Sequence, residues 1–238
     1  MIIDIINKKK AGQELTYQEL TTIFNGYLNG TVPDYQMSAF LMAICLKDMT
    51  DQEVIDLTDI FVKSGERLNL DDIQGLKVDK HSTGGVGDKT TLIIAPIVAS
   101  CGVKVIKMSG RSLGYTGGTI DKLESIPGFR VDLTEEEIKK QAKEIGIVDS
   151  SQTLSLVPLD KKIYALRDVT ATVDSIPLIA VSIMSKKIAS GNKNLVLDIK
   201  VGSGAFFKTM KEATRFATLA EKIGTAHHMK VRTIISNM

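Results

Sequence analysis

Two glycine-rich segments, each set directly after a short apolar run, constrain this chain more than any other feature. The first runs from Lys80 through His81-Ser-Thr-Gly-Gly-Val-Gly-Asp88 to Thr91, the second from Lys107 through Ser109-Gly-Arg-Ser-Leu-Gly-Tyr-Thr-Gly-Gly-Thr119 to Glu124. Leu76–Asp79 and Val103–Met108 read as the strands that precede them, and a helix follows the first from Asp88 to about Ser100. Asn194–Val201 and Val231–Ser236 read as further strands, and Thr134-Glu-Glu-Glu137 and Thr209-Met-Lys-Glu212 as capping boxes that open helices. Strand, glycine loop and helix in alternation predict a mostly parallel sheet with helices on its faces. Two such loops at the C-terminal ends of strands in one sheet can face a single crevice.

The first 65 residues carry a different pattern. Ile2, Ile3, Ile5 and Ile6 begin a short helix ending near Gly12, and Thr16-Tyr-Gln-Glu19 and Thr50-Asp-Gln-Glu53 are capping boxes. Asp34 opens an unbroken Met/Ala/Leu/Ile-rich run to Lys47, and Gly65 is expected to end the helix that starts at Thr50. The segment from Lys161 to Ala189 is helical again, punctuated by Pro177. The expected fold class is therefore α/β: a small all-helical domain (1–65 and 161–190) plus a larger mostly parallel α/β domain (66–160 and 191–238), with the chain crossing between them. Helices apolar on more than one face pack on each other or across a dimer interface, and a homodimer through the N-terminal helices is expected. The chain stops just after a strand, which reads either as a parallel sheet that ends on a strand or as an abridged chain.

Composition removes several classes. Thirty Lys and Arg stand against 28 Asp and Glu, with no basic block longer than Lys8-Lys9-Lys10 and no interleaved aromatics, so nucleic acid is not expected. No apolar stretch reaches the roughly 18 residues of a membrane span, and Asp4 interrupts any signal-peptide core, so a cytoplasmic location is expected. Cys45 and Cys101 lie in apolar surroundings without metal spacing and read as buried free thiols.

The first glycine loop suits an anion. Glycines let the backbone turn tightly against a ligand, and a helix N-terminus presents N–H groups with the dipole behind them. Lys80, Ser82 and Thr91 add a charge and two hydroxyls; Lys107, Ser109 and Thr119 can close the other side of the same anion. The plainer alternative is an ordinary strand-to-helix turn. Neither a Walker A loop nor a dinucleotide fingerprint fits, because Asp88 precedes Lys89 and the third glycine is missing. Asp121 and Glu124 read as structural charges at a helix start. Downstream, Arg167 offers a planar fork for a carbonyl-bearing ring, and Ser182 and Lys186, four apart, share one helix face. A solvated salt-bridge face is the alternative for that cluster.

With Lys80-His-Ser-Thr-Gly-Gly-Val-Gly-Asp88, Ser109 to Glu124, Tyr164-Ala-Leu-Arg-Asp168, Ser182-Ile-Met-Ser-Lys-Lys187 and Lys200-Val-Gly-Ser-Gly-Ala-Phe206 in this order, the chain resembles the thymidine/pyrimidine-nucleoside phosphorylase family over essentially its whole length. Ser112 departs from the Gly or Ala usual there, but stays small. The resemblance implies two domains that close over inorganic phosphate and a pyrimidine nucleoside. It implies phosphate on Lys80, Ser82, Thr91, Ser109 and Thr119 with Lys107 nearby, and the pyrimidine on Tyr164, Arg167, Ser182 and Lys186 with His81 reaching toward the base. It further implies a potassium ion held in part by Gly87 and by the backbone carbonyl of Lys89, no organic cofactor, and a C-terminal region absent from this chain. The expected reaction is phosphorolysis to free base and (deoxy)ribose 1-phosphate, with His81, Arg167 and Lys186 stabilising the departing base. An Arg167→Ala change is expected to abolish turnover and leave the fold intact. An anthranilate-type phosphoribosyltransferase and an inactive, phosphate-binding, dimerising fragment are the competing readings.

Overall fold

The structure, a computed structural model, describes residues 1–86, 88–111, 118–152 and 155–238. Four helices come first: α1 (Ile2–Lys10), α2 (Tyr17–Leu28), α3 (Asp34–Lys47) and α4 (Asp51–Lys63). Thr16 and Thr50 accept from the amides of Glu19 and Glu53, as the capping-box spacing requires. Phe24 packs edge-on against Phe40 and Phe61, with ring centroids 5.8 and 5.5 Å apart, and Leu20, Ile23, Met37, Leu41, Ile44 and Leu57 complete a solvent-free centre. Glu53 is more than a cap. Its carboxylate also accepts from Lys9 Nζ at 2.7 Å and from the Leu15 amide at 2.9 Å, so Lys9 is buried rather than part of a basic surface.

The rest of the chain builds β1 (Lys77–Ser82), α5 (Thr90–Ser100), β2 (Lys104–Ser109), α6 (Thr119–Glu124), α7 (Glu135–Glu144), β3 (Ile147–Ser151), α8 (Pro158–Asp168), α9 (Ile176–Ala189), β4 (Asn194–Val201), α10 (Met210–Ala226) and β5 (Lys230–Asn237). All five strands are parallel, in the order β3-β2-β1-β4-β5, with Val105 and Ile106 buried on β2 and Leu195, Leu197 and Ile199 on β4. β1 pairs with β2 only through Lys77↔Lys104 and Val78↔Val105, but with β4 from Asp79↔Leu195 to Ser82↔Asp198. The helices α8 and α9 return to the first four, α8 against α2, α3 and α4 and α9 against α4. The fold is thus a helical bundle joined to a parallel α/β domain, as the alternation of patterns implies.

Four local readings change. The strand β1 extends to Ser82, so Lys80, His81 and Ser82 are strand residues and the turn begins at Thr83. The helix α5 starts at Thr90, two residues after Asp88. Gly65 does not close α4 with a left-handed residue. It allows close approach instead: a Cβ there would lie 2.2 Å from the Ser155 carbonyl oxygen and 2.4 Å from Pro158 Cδ. Cys45 is only partly buried and Cys101 is exposed, because Cys101 caps α5, a helix whose Leu92, Ile93, Ile94 and Ile97 are themselves exposed. Among the described residues, no helix is long and apolar enough to cross a membrane.

Candidate active-site cleft

The C-terminal end of β1 and the 83–88 turn form one wall. The Thr83 amide donates to the Asp198 carbonyl at 3.0 Å and the Val86 amide to the Gly204 carbonyl at 2.9 Å, which ties this turn to β4 and to the turn after it. Gly85 is required here: at φ +123° its Cβ would meet the Gly204 oxygen at 2.2 Å. Asp88 then caps α5, accepting the Thr91 amide at 3.2 Å and the Thr91 hydroxyl, while Lys80 Nζ lies 3.1 Å from the same carboxylate and 3.1 Å from Asp198 Oδ2. Burial alone would raise the Asp88 carboxyl, but the Thr91 hydroxyl and Lys80 win and hold it down to about 2. Lys80 and Thr91 therefore stand behind the turn with Asp88 as partner, whereas Ser82 lines the cleft.

The second wall comes from β2, β3 and α6. Lys107 Nζ donates to Ser109 Oγ at 2.7 Å, and Ser109 Oγ donates to Asp149 Oδ1, on β3, at 2.5 Å. Below them Lys187 Nζ, fully buried, bridges Asp79 Oδ2 at 2.9 Å and the Met108 carbonyl at 2.8 Å, pinning α9 under the strand ends. Thr119 begins α6, its start fixed by the Gly118 amide on Asp121 Oδ2 at 3.0 Å. Arg111 grips Glu124 with two bonds, 2.6 and 2.8 Å, so Asp121 and Glu124 do organise this helix. Residues 112–117, including Ser112, lie outside the described residues.

The third wall belongs to α8 and α9. Lys186 Nζ sits 2.8 Å from Asp160 Oδ2, 3.0 Å from Ser182 Oγ and 5.6 Å from the centroid of the Tyr164 ring. Burial pushes the Tyr164 phenol up to about 12, so it stays a neutral, flat platform. Arg167 is 2% exposed. Its Nε, Nη1 and Nη2 donate to the carbonyls of Thr172, Leu178 and Val173 at 3.0, 3.2 and 2.8 Å, binding the α8–α9 turn to α9. A change to Ala therefore acts on this turn as well as on the cleft. His81 faces the same space; burial, then the lysines 187, 107, 186 and 80, hold its imidazole well below the usual histidine value. It is neutral near pH 7 and offers a hydrogen bond rather than an imidazolium proton.

These walls enclose one cavity of about 1100 Å³ lined by His81, Ser82, Lys107, Ser109, Thr119, Tyr164, Arg167, Ser182 and Lys186. Its lining also includes Phe206, the end of the motif that starts at Lys200, and Asp132, Ser151, Asp160 and Phe207, which the sequence did not single out. Ser151 and Asp132 are joined hydroxyl to carboxylate. Of the residues implied for a potassium ion, Gly87 lies outside the described residues, and Lys89, whose side chain is itself a cation, has only its backbone carbonyl to offer.

A bundle and a parallel α/β domain meeting over two glycine-turn strand ends define the class. The chain belongs to the glycosyl transferase family: the family model of its a/b domain matches residues 74–234 and that of its helical bundle domain residues 3–65. More particularly, it is 55% identical over 237 residues to a pyrimidine-nucleoside phosphorylase of Staphylococcus epidermidis. It is 54% identical to those of Bacillus subtilis and Geobacillus stearothermophilus. Each alignment covers 100% of this chain and 55% of the relative, so the chain spans about half the length of these enzymes. Among solved structures, an anthranilate phosphoribosyltransferase from Thermus thermophilus superposes with a TM-score of 0.70 at 18% identity, covering 99% of this chain and 66% of that one. At that identity the likeness is one of fold.

Proposed function

We propose that the protein to which this chain belongs splits pyrimidine nucleosides (uridine, thymidine, deoxyuridine) with inorganic phosphate, yielding free base and (2-deoxy-)α-D-ribose 1-phosphate. The observation that carries this reading is the shared cavity. Lys107, Ser109, Thr119 and Ser82 at the strand ends face Tyr164, Ser182 and Lys186 on α8 and α9 across one space, so an oxyanion and a flat ring can be held together. Lys80 and Thr91 back the anion site through Asp88. Phosphate is a competent nucleophile, and no activated serine or cysteine is needed; the protein's tasks are alignment and stabilisation of the base that departs from C1′ with the bond electrons. Lys186 and the unused N–H groups of Arg167 offset charge on the base carbonyls, and neutral His81 donates a hydrogen bond to O2. A cytoplasmic homodimer belongs to the same reading, with Ile3, Tyr35 and Leu46, exposed on α1 and α3, at the interface. The potassium ion belongs to the family resemblance, and no step passes through it.

The test is phosphate-dependent release of uracil or thymine. Release with phosphate supports phosphorolysis; no such release, but liberation of diphosphate from a phosphoribosyl diphosphate when an aromatic amine is added, would install the phosphoribosyltransferase reading, and binding of phosphate without either reaction the inactive one.

A further inference from the structure

Asp149 was not singled out by the sequence, yet it controls the hydroxyl that the phosphate reading needs. Ser109 has one hydroxyl hydrogen, and it points to Asp149 Oδ1 at 2.5 Å while the oxygen accepts from Lys107 at 2.7 Å. Asp149 Oδ2 is sealed from solvent and has no hydrogen-bond partner among the described residues. In this state the Ser109 hydrogen is turned toward an internal carboxylate and the Lys107 ammonium toward Ser109. For Ser109 to donate to an entering tetrahedral oxyanion, its hydrogen must leave Asp149. The carboxylate then keeps no donor on either oxygen, with a second anion close by. A buried charge in that position is disfavoured.

We propose that Asp149 takes up a proton from solvent as the oxyanion binds to Ser109 and Lys107, so that anion binding at this end of the cleft is coupled to protonation. The inference rests on the phosphate reading above. The charged groups facing Asp149 are Lys107 from β2, Lys187 from α9 and Asp79 from β1. The buried residues of α7 are Ile138 and Ala142, and α5 carries no ionisable side chain. Burial already raises the Asp149 carboxyl above the ordinary aspartate value, against the pull of Lys107 and Ser109. Losing the Ser109 hydrogen bond and gaining an anionic neighbour both push it further the same way.

Sulfate is the probe, because it is tetrahedral and does not itself change protonation near neutrality. Calorimetric titration of the full-length protein with sulfate in buffers of different ionisation enthalpy should show uptake approaching about one proton per site. Affinity should fall as pH rises, by up to about tenfold per pH unit. Asp149→Asn should bind sulfate with heat that no longer depends on the buffer. Ser109→Ala, which cuts the link from the other end, should bind more weakly and also lose the uptake; it decides the matter if the Asn variant does not fold. Buffer-independent heat in the unaltered protein overturns the proposal, as does uptake that survives in Asp149→Asn and so belongs to another group such as His81. Absence of any binding by sulfate or phosphate removes the phosphate reading itself, and this coupling with it.

Discussion

Asp160, on α8, holds the ammonium of Lys186, on α9, at 2.8 Å, and the same ammonium donates to Ser182 at 3.0 Å. The arrangement of carboxylate, lysine and hydroxyl occurs three times around the cleft. Asp88 gathers Lys80 and Thr91, Asp149 gathers Ser109 and through it Lys107, and Asp160 gathers Lys186 and through it Ser182. Each set aims a cation without leaving it unpaired in a poorly solvated space.

Replacing Asp160 by Asn should let Lys186 drift from Ser182 and Tyr164. A displacement of this kind costs on the order of 10-fold to 10²-fold in rate. The expected result is a fall in kcat/KM for the nucleoside with KM for phosphate unchanged, read by steady-state kinetics with each substrate varied. Equal shifts for both substrates would place Lys186 elsewhere in the reaction.

Arg167→Ala should lose stability as well as turnover. Three carbonyl acceptors lose their donor in a site 2% exposed, and about 1 kcal/mol per bond implies a loss of roughly 2–4 kcal/mol. Urea denaturation measures it. Arg167→Lys should recover little, since one ammonium cannot reach three carbonyls that a planar fork spans.

The sign of the His81 effect is fixed by its environment. Its folded value lies well below 6.5, so as pH falls through the ordinary histidine range the unfolded chain takes up a proton that the folded chain refuses. Stability contributed by neutral His81 is present above about pH 6.5 and declines below it. Thermal melts between about pH 5 and 7.5 should show this decline reduced in His81→Asn, with the residual slope due to His227, whose value is also lowered by burial. Equal slopes in the two proteins would mean that His81 ionises normally.

Tyr35 and Leu46 are 75% and 74% exposed at the two ends of α3. A charged residue at Leu46 should convert a dimer to monomers while the Phe24–Phe40–Phe61 core keeps its melting temperature. Light scattering at micromolar concentration checks the mass. A mass that does not respond to Leu46→Asp moves the interface away from α3.

The sequence was most legible where the physics is local. Four capping boxes fall where Thr16, Thr50, Thr134 and Thr209 place them, because a hydroxyl and a Glu three residues on satisfy backbone donors without help from elsewhere. The parallel sheet and bundle followed from periodicity and glycine turns. The strand β3 was not foreseen: five residues, three of them polar, follow Gly146 with no turn signal, and only pairing to β2 makes Ile147–Ser151 extended. With β3 went Asp149 and Ser151. Asp160 escaped notice for a related reason, since its partner lies 26 residues on and only the packing of α8 beside α9 joins them. The three bonds of Arg167 depend on the shape of the 169–175 turn, which composition does not reveal.

The short pairing between β1 and β2 bears on how the cleft sets its own width. After Val78 and Val105 nothing in the ladder joins these strands. Each is braced from its outer side, β1 by β4 and β2 by β3. Above the Lys187 bridge from Asp79 to the Met108 carbonyl, the gap between Ser82 and Ser109 is therefore a slot with braced jambs and no backbone rung, and a guest that bonds to both sides becomes that missing rung.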